Sequence, residues 1–279
     1  MPLADLSLLG FSTCHQKVSN MNSQLQIDDD GISGETIRRT LHFFWLVDES
    51  GSMGGQKIQA VNYAIKNVLP EIQKIEDEQR VNILMRAIKF GDHAQWHVGP
   101  APVPVKDFTW RDMDARGGST STAQAIELLN QELALDKIGR RNVPPVAILL
   151  SDGYATDAPE RYDQAIATLD KLPWGVKAVR VSIGIGGAEG DYDKEQLDRF
   201  ISPYLRKEVH LETLPAPDVR RLVEFIKIVS TQAATASASS KSDLQDHSQT
   251  PVQFDPAVLK PDNGPSVNQY GSLNPDDVF

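Results

Sequence analysis

Apolar and polar residues fall into alternating blocks along this chain, and the blocks predict strands and helices in turn. Leu41–Val47 is a nearly continuous apolar run that reads as a buried strand. From Gln56 onward, Ile58, Val61, Ile65, Val68, Ile72 and Ile75 recur three and four apart, which predicts one buried face of a helix. Pro70 predicts a kink or break in it after Leu69. Val81–Phe90 reads as a strand, and Ala94–Val98 as a short edge strand paired with it across the Gly91-Asp92 turn. Proline-rich 100–108 reads as loop. Thr122–Ile138 follows as a helix with Ile126, Leu129 and Leu133 inward, then Val146–Leu150 as a short all-apolar strand covered on both faces. The remaining pattern predicts a helix over Pro159–Leu172, a strand over Val176–Ile185 and a helix over Asp193–Ile201 that Pro203 helps to stop. A last strand over Val209–Thr213 and a last helix over Asp218–Val229 complete it. Strands alternating with helices predict an α/β fold: a doubly wound, mostly parallel central sheet, helices on both faces, and one antiparallel edge strand.

The pattern fades at both ends. Residues 1–35 show no sustained period and read as a flexible acidic leader; residues 36–231 carry the globular pattern. From Gln232 the chain turns to Ala, Ser and Thr and then to proline-rich, aperiodic sequence. Residues 232–279 are therefore expected to be a low-complexity linker and a disordered acidic tail.

Composition adds exclusions. With 40% apolar and 24% charged residues, the 279-residue chain is ordinary for a globular protein. Its one cysteine, Cys14, excludes an internal disulfide framework and a multi-cysteine zinc site, and suits a reducing compartment. No apolar stretch approaches the ~18 residues needed to span a bilayer. The first residues lack the basic start of a secretory signal, so a cytoplasmic protein with no membrane partner is expected. The net charge of −10 is concentrated in the two ends, and no basic face offers itself to nucleic acid.

Candidate chemistry begins where the first strand ends. Asp48-Glu49-Ser50-Gly51-Ser52 places a carboxylate and two hydroxyls just beyond an apolar strand, where open α/β sheets bind ligands. All three are hard oxygen donors of the kind that a small divalent cation prefers. Two further segments bring similar donors. Gly117-Gly118-Ser119-Thr120-Ser121-Thr122 opens a helix, and Ser151-Asp152-Gly153 follows the apolar strand Val146–Leu150. Asp48, Ser50, Ser52, Thr120 and Asp152 can then converge from three loops if their parent strands are near neighbours. Other motifs have plainer readings. Gly184-x-Gly186-x-x-x-Gly190 comes too late in the chain for a dinucleotide fingerprint and reads as a strand-to-helix turn. His42 falls in the first strand, His93 and His97 lie by Trp96 near the edge strand, and all three read as structural. Neither a Gly-x-Ser-x-Gly elbow nor a Gly-x-x-x-x-Gly-Lys phosphate loop is present.

These three segments together resemble the von Willebrand factor A domain, with its metal-ion-dependent adhesion site (MIDAS). The resemblance covers about residues 38–231. It implies Asp48, Ser50, Ser52, Thr120 and Asp152 as the metal-site residues, with Thr122 and Ser119 as alternatives to Thr120 because Ser119 is an extra residue in the motif. It also implies direct ligation by the hydroxyls of Ser50, Ser52 and Thr120, while Asp48 and Asp152 act through water or hydrogen bonds. The ion would be Mg2+, with Mn2+ as the alternative, and a sixth position would be left for an Asp or Glu of a protein partner. Arg38-Arg39, Val47–Met53, Leu150–Asp157 and Val181–Gly186 are most similar to the bacterial, tellurite-resistance-associated TerY group. That group is linked with a protein kinase and a PP2C-type phosphatase, which makes those the expected partners and stress signalling the expected setting. The implied function is a non-catalytic, metal-dependent interaction module. The competing readings are a metal-dependent phosphohydrolase and a scaffold whose metal is only structural. A hydrolase needs a base or nucleophile beside the metal, and Glu49 and Asp157 are the acids nearby in sequence.

Overall fold

The computed structural model describes residues 38–140, 142–186 and 191–239, all within the unit Arg38–Phe279. The expected leader, most of the expected tail and Gly190 of the glycine turn lie outside the described residues. Strand β1 (Thr40–Asp48) leads through a short 3-10 turn to helix α1 (Gln56–Gln79), then to β2 (Asn82–Phe90) and β3 (Ala94–Pro104). Next come α2 (Thr122–Glu132), α3 (Leu135–Ile138), β4 (Val146–Ser151), α4 (Pro159–Leu169) and α5 (Pro173–Lys177). β5 (Val179–Ile185), α6 (Lys194–Phe200), α7 (Pro203–Lys207), β6 (Leu214–Ala216) and α8 (Val219–Ser239) complete the described fold.

The described strands form one six-stranded sheet in the order β3-β2-β1-β4-β5-β6. Every pairing is parallel except β2 with β3, so the antiparallel strand lies at the edge. The α/β, doubly wound architecture expected from the alternating pattern is the one observed. β1 is central and buried along its length after Thr40. Its odd residues Leu41, Phe43, Trp45 and Val47 join a core cluster with α1 and α8. Its even residues Phe44 and Leu46 face a second cluster with α2 and α4. Apolar side chains on both faces of one strand are why its sequence reads as a run rather than an alternation.

Several boundaries differ from the sequence expectation, each for a local reason. α1 is not broken at Pro70. Pro70 sits on the exposed face, where water can take the Lys66 carbonyl that loses its helical donor. β3 continues through the proline-rich stretch to Pro104, with irregular register opposite Met85–Ile88. An edge strand tolerates prolines because one side of it needs no ladder bonds. The helix expected over Thr122–Ile138 ends at Glu132; Ala134 is extended and α3 starts afresh. Pro173 and Pro203 each open a short helix, because proline's fixed φ suits a first helical turn. The strand expected from Val176 consequently begins at Val179. Val209–Thr213 is not the last strand. His210 has φ 57°, and the Thr213 amide bonds the Asp198 carboxylate, so pairing with β5 begins only at Leu214.

The largest difference is at α8, which runs through the segment expected to be a flexible linker as far as Ser239. Ala233, Ala234 and Ala238 are buried in the α1 and α8 cluster, and the Ser237 hydroxyl donates to the Pro144 carbonyl. Alanine favours helix intrinsically, and here burial decides over a composition that also suits a linker. No helix among the described residues is long and apolar enough to cross a membrane.

Candidate metal centre

Register places the expected site residues together. Val47 pairs with Leu150 across β1 and β4, so Asp48 and Ser151 end adjacent parallel strands and Asp152 follows one residue on. Chain connections leave β1 and β4 in opposite directions, which opens a crevice at the carboxyl edge between them. The apolar runs thus set where the polar residues emerge.

Asp48 is wholly buried, and both its oxygens are engaged. Oδ1 accepts the Ser50 amide at 2.8 Å, and Oδ2 accepts the Ser151 hydroxyl at 2.6 Å. The Ser50 and Ser52 hydroxyls lie 3.0 Å apart, and Ser52 Oγ donates to Asp152 Oδ1 at 2.7 Å. Asp152 Oδ2 takes the Lys57 ammonium at 2.6 Å. Thr120 reaches the cluster from the loop before α2. The point that a Cβ on Gly153 would occupy lies 3.5 Å from Thr120 Oγ1, 3.8 Å from Ser52 Oγ and 3.9 Å from Asp48 Oδ2. Glycine at 153 keeps that space clear of carbon. Asp48, Ser50, Ser52, Thr120 and Asp152 therefore meet in one place, from three loops.

Burial pushes the Asp48 carboxyl up to about 6, against the opposing pull of the hydrogen bonds from Ser151 and Ser50, and the Asp152 charge adds to the rise. A cation beside it would relieve that cost. The donor set fits a hard divalent ion: neutral hydroxyls, two carboxylates, and no soft ligand. Among the described residues no group of three or more His, Cys, Asp or Glu is placed to hold a metal.

Residues outside the expected set support it. Asp92, in the turn after β2, accepts the amides of Gly118 and Ser119 and the Ser119 hydroxyl on Oδ1. Those bonds hold the Asp92 carboxyl below its usual range and shape the loop that carries Thr120. Gly117 has φ 92°, and a Cβ there would sit 2.9 Å from the Asp92 carboxylate; one on Gly51 would sit 2.9 Å from the Gly117 carbonyl. Glycine at both positions lets the loops close on one another. Thr156 fixes Thr120 by two bonds: its hydroxyl accepts the Thr120 amide at 2.9 Å, and its amide donates to the Thr120 carbonyl at 3.0 Å. Ser119 is thus engaged by Asp92, while Thr120 Oγ1 faces the Gly153 space. Ser151, already part of the strand-ending Ser-Asp-Gly motif, holds Asp48, while Lys57, Asp92 and Thr156 also belong to the site and a motif reading has no signal for them beyond their proximity to it.

The plainer motifs have plain structures. A Cβ on Gly184 would run into the Tyr192 ring, and one on Gly186 into Asp191, so these glycines serve packing. His97 Nε2 bonds the Arg111 carbonyl, and its ring packs edge-on against Trp110 at 4.8 Å.

The von Willebrand factor type A domain model matches residues 44–209. The chain belongs to this family. Among solved structures, a von Willebrand factor type A protein from Catenulispora acidiphila is 16% identical over 71% of this chain and 43% of its own, with TM-score 0.52. Proximal thread matrix protein 1 from the mussel byssus is 14% identical over 71% of this chain and 49% of its own, with TM-score 0.51. These likenesses are of fold, and this chain's match spans less than half the length of either protein. No curated protein sequence matches the chain.

Proposed function

We propose that this von Willebrand factor A domain is a non-catalytic interaction module that binds an acidic residue of a protein partner through a divalent cation. Ser50, Ser52 and Thr120 would hold the ion, with Asp48 and Asp152 balancing its charge. The ion supplies an electrophilic centre with a position for an outside carboxylate. The observation that carries this reading is the meeting of Ser52, Thr120 and Asp48 oxygens around the side-chain-free space at Gly153. Mg2+ is the preferred ion and Mn2+ the alternative, since both accept oxygen donors.

The surroundings support binding over catalysis. Glu49 is tied to Lys89 at 2.8 Å, and Asp157 Oδ2 accepts the Ala123 amide at 2.8 Å, so the two acids expected near the metal are both structurally engaged. On the TerY-like stretches of the sequence, the setting would be bacterial cytoplasmic stress or phospho-signalling, and a protein kinase or PP2C-type phosphatase the partner. The test is affinity capture with Mg2+ and elution by chelator. Partner retention should require both the ion and Asp48; retention surviving chelator and Asp48→Ala alike would reject the reading.

A further inference from the structure

Lys57 is the one cation in contact with the donor cluster among the described residues. It stands on the second residue of α1, its ammonium is 2.6 Å from Asp152 Oδ2, and its side chain is 21% exposed. The Asp152 side chain is fully buried, and its other oxygen is occupied by Ser52. Of the other charged groups around the cluster, Glu49 and Lys89 neutralise one another, and the Asp92 carboxylate keeps its charge but stands in solvent, which screens it.

Resting on the metal reading above, we propose that Lys57 sets the charge of the site so that cation and acidic ligand bind cooperatively. Two carboxylates alone would neutralise a divalent ion, leaving a loaded site with little electrostatic preference for an anionic sixth ligand over water. With Lys57 present, the same loaded site carries one net positive charge. The ammonium therefore opposes entry of the metal alone, both by repulsion and by occupying an Asp152 oxygen. It also favours an incoming carboxylate once the metal is in place. By linkage the two effects are one coupling: the acid tightens metal binding by the same factor as the metal tightens acid binding. Lys57 is a positioning and charge-setting residue, not a ligand.

The test uses Mn2+ as the probe, followed by the paramagnetic resonance of the free ion, on the full chain in chloride and in acetate. Lys57→Met should bind Mn2+ at least about tenfold more tightly than the parent in chloride, given a unit positive charge removed within a few ångströms of the ion. Acetate should tighten Mn2+ binding markedly in the parent and in Lys57→Arg, and much less in Lys57→Met. Methionine suits a helix as well as lysine does, and circular dichroism of Lys57→Gln provides a second neutral variant if Lys57→Met misfolds. Equal Mn2+ affinity and equal acetate response in parent and neutral variants, with Asp48→Ala abolishing binding, would overturn the role of Lys57 and leave the metal centre standing. Failure of every form to bind Mn2+ would overturn the metal centre itself.

Discussion

His42 shows how a single buried side chain can govern acid stability. It lies in β1 with 5% exposure, its ring stacks near Phe44, and Nδ1 has no partner among the described residues. Burial, and then the Arg86 guanidinium, lower its pKa from 6.5 to about 4. Between those values the unfolded chain binds the proton and the folded one does not. The stability that depends on neutral His42 is therefore complete above about pH 6.5 and is lost as the pH falls towards 4. The loss is on the order of 3 kcal/mol. Asp48, with its raised pKa, works in the opposite sense, so the difference between parent and His42→Leu isolates the histidine. Denaturant titrations should show the parent losing that difference between pH 6.5 and 4 relative to His42→Leu. At the same scale, Asp92→Ala should leave the fold intact, because the carboxylate is exposed, yet weaken Mn2+ binding by about tenfold by loosening the Thr120 loop. Isothermal titration of the variant reads that loss directly.

At the scale of elements, what the sequence discloses depends on whether a residue's neighbours are close along the chain. β1 and β4 are legible as apolar runs, and their ends give Asp48 and Asp152 directly, because hydrophobic burial acts on each strand as a block. Thr120 is legible through its glycines. Lys57, Asp92 and Thr156 are not, since their partners Asp152, Gly118 and Thr120 lie far along the chain and only the strand order brings them near. Nor is the end of α8: Ala, Ser and Thr suit a linker or a close-packed helix, and only the surfaces of α1 and the sheet beneath it decide. Two predictions follow the same reasoning. Ending the chain at Thr231 rather than at Ser239 should cost about 2 kcal/mol from lost burial of Ala233, Ala234 and Ala238 and from the Ser237 bond, and thermal unfolding should show it. Pro70→Ala should stabilise by about 1–3 kcal/mol by restoring a backbone donor to α1 at an exposed position that demands no other change.

On the whole molecule, the two edges of the sheet differ in what they present. Among the described residues, the exposed large hydrophobic side chains are Tyr154, 52% exposed, and Val176, 43% exposed. Val176 lies in α5, just before β5 begins, so it belongs to the amino edge of the parallel strands. Tyr154 lies two residues beyond Asp152, at the carboxyl edge, beside the metal centre. An aromatic ring next to a polar focus is the usual composition of an energetic anchor, because it supplies large contact area at small entropic cost. On the proposed function, a partner whose acid reaches the cation comes down on this edge, two residues along the chain from the ring. Tyr154→Ala should therefore weaken the chelator-sensitive partner by roughly tenfold or more while leaving Mn2+ affinity unchanged. Val176→Ala should alter neither. Equal partner affinity in the parent and Tyr154→Ala would mean that the partner approaches from another direction, with the metal contact as its sole anchor on this edge.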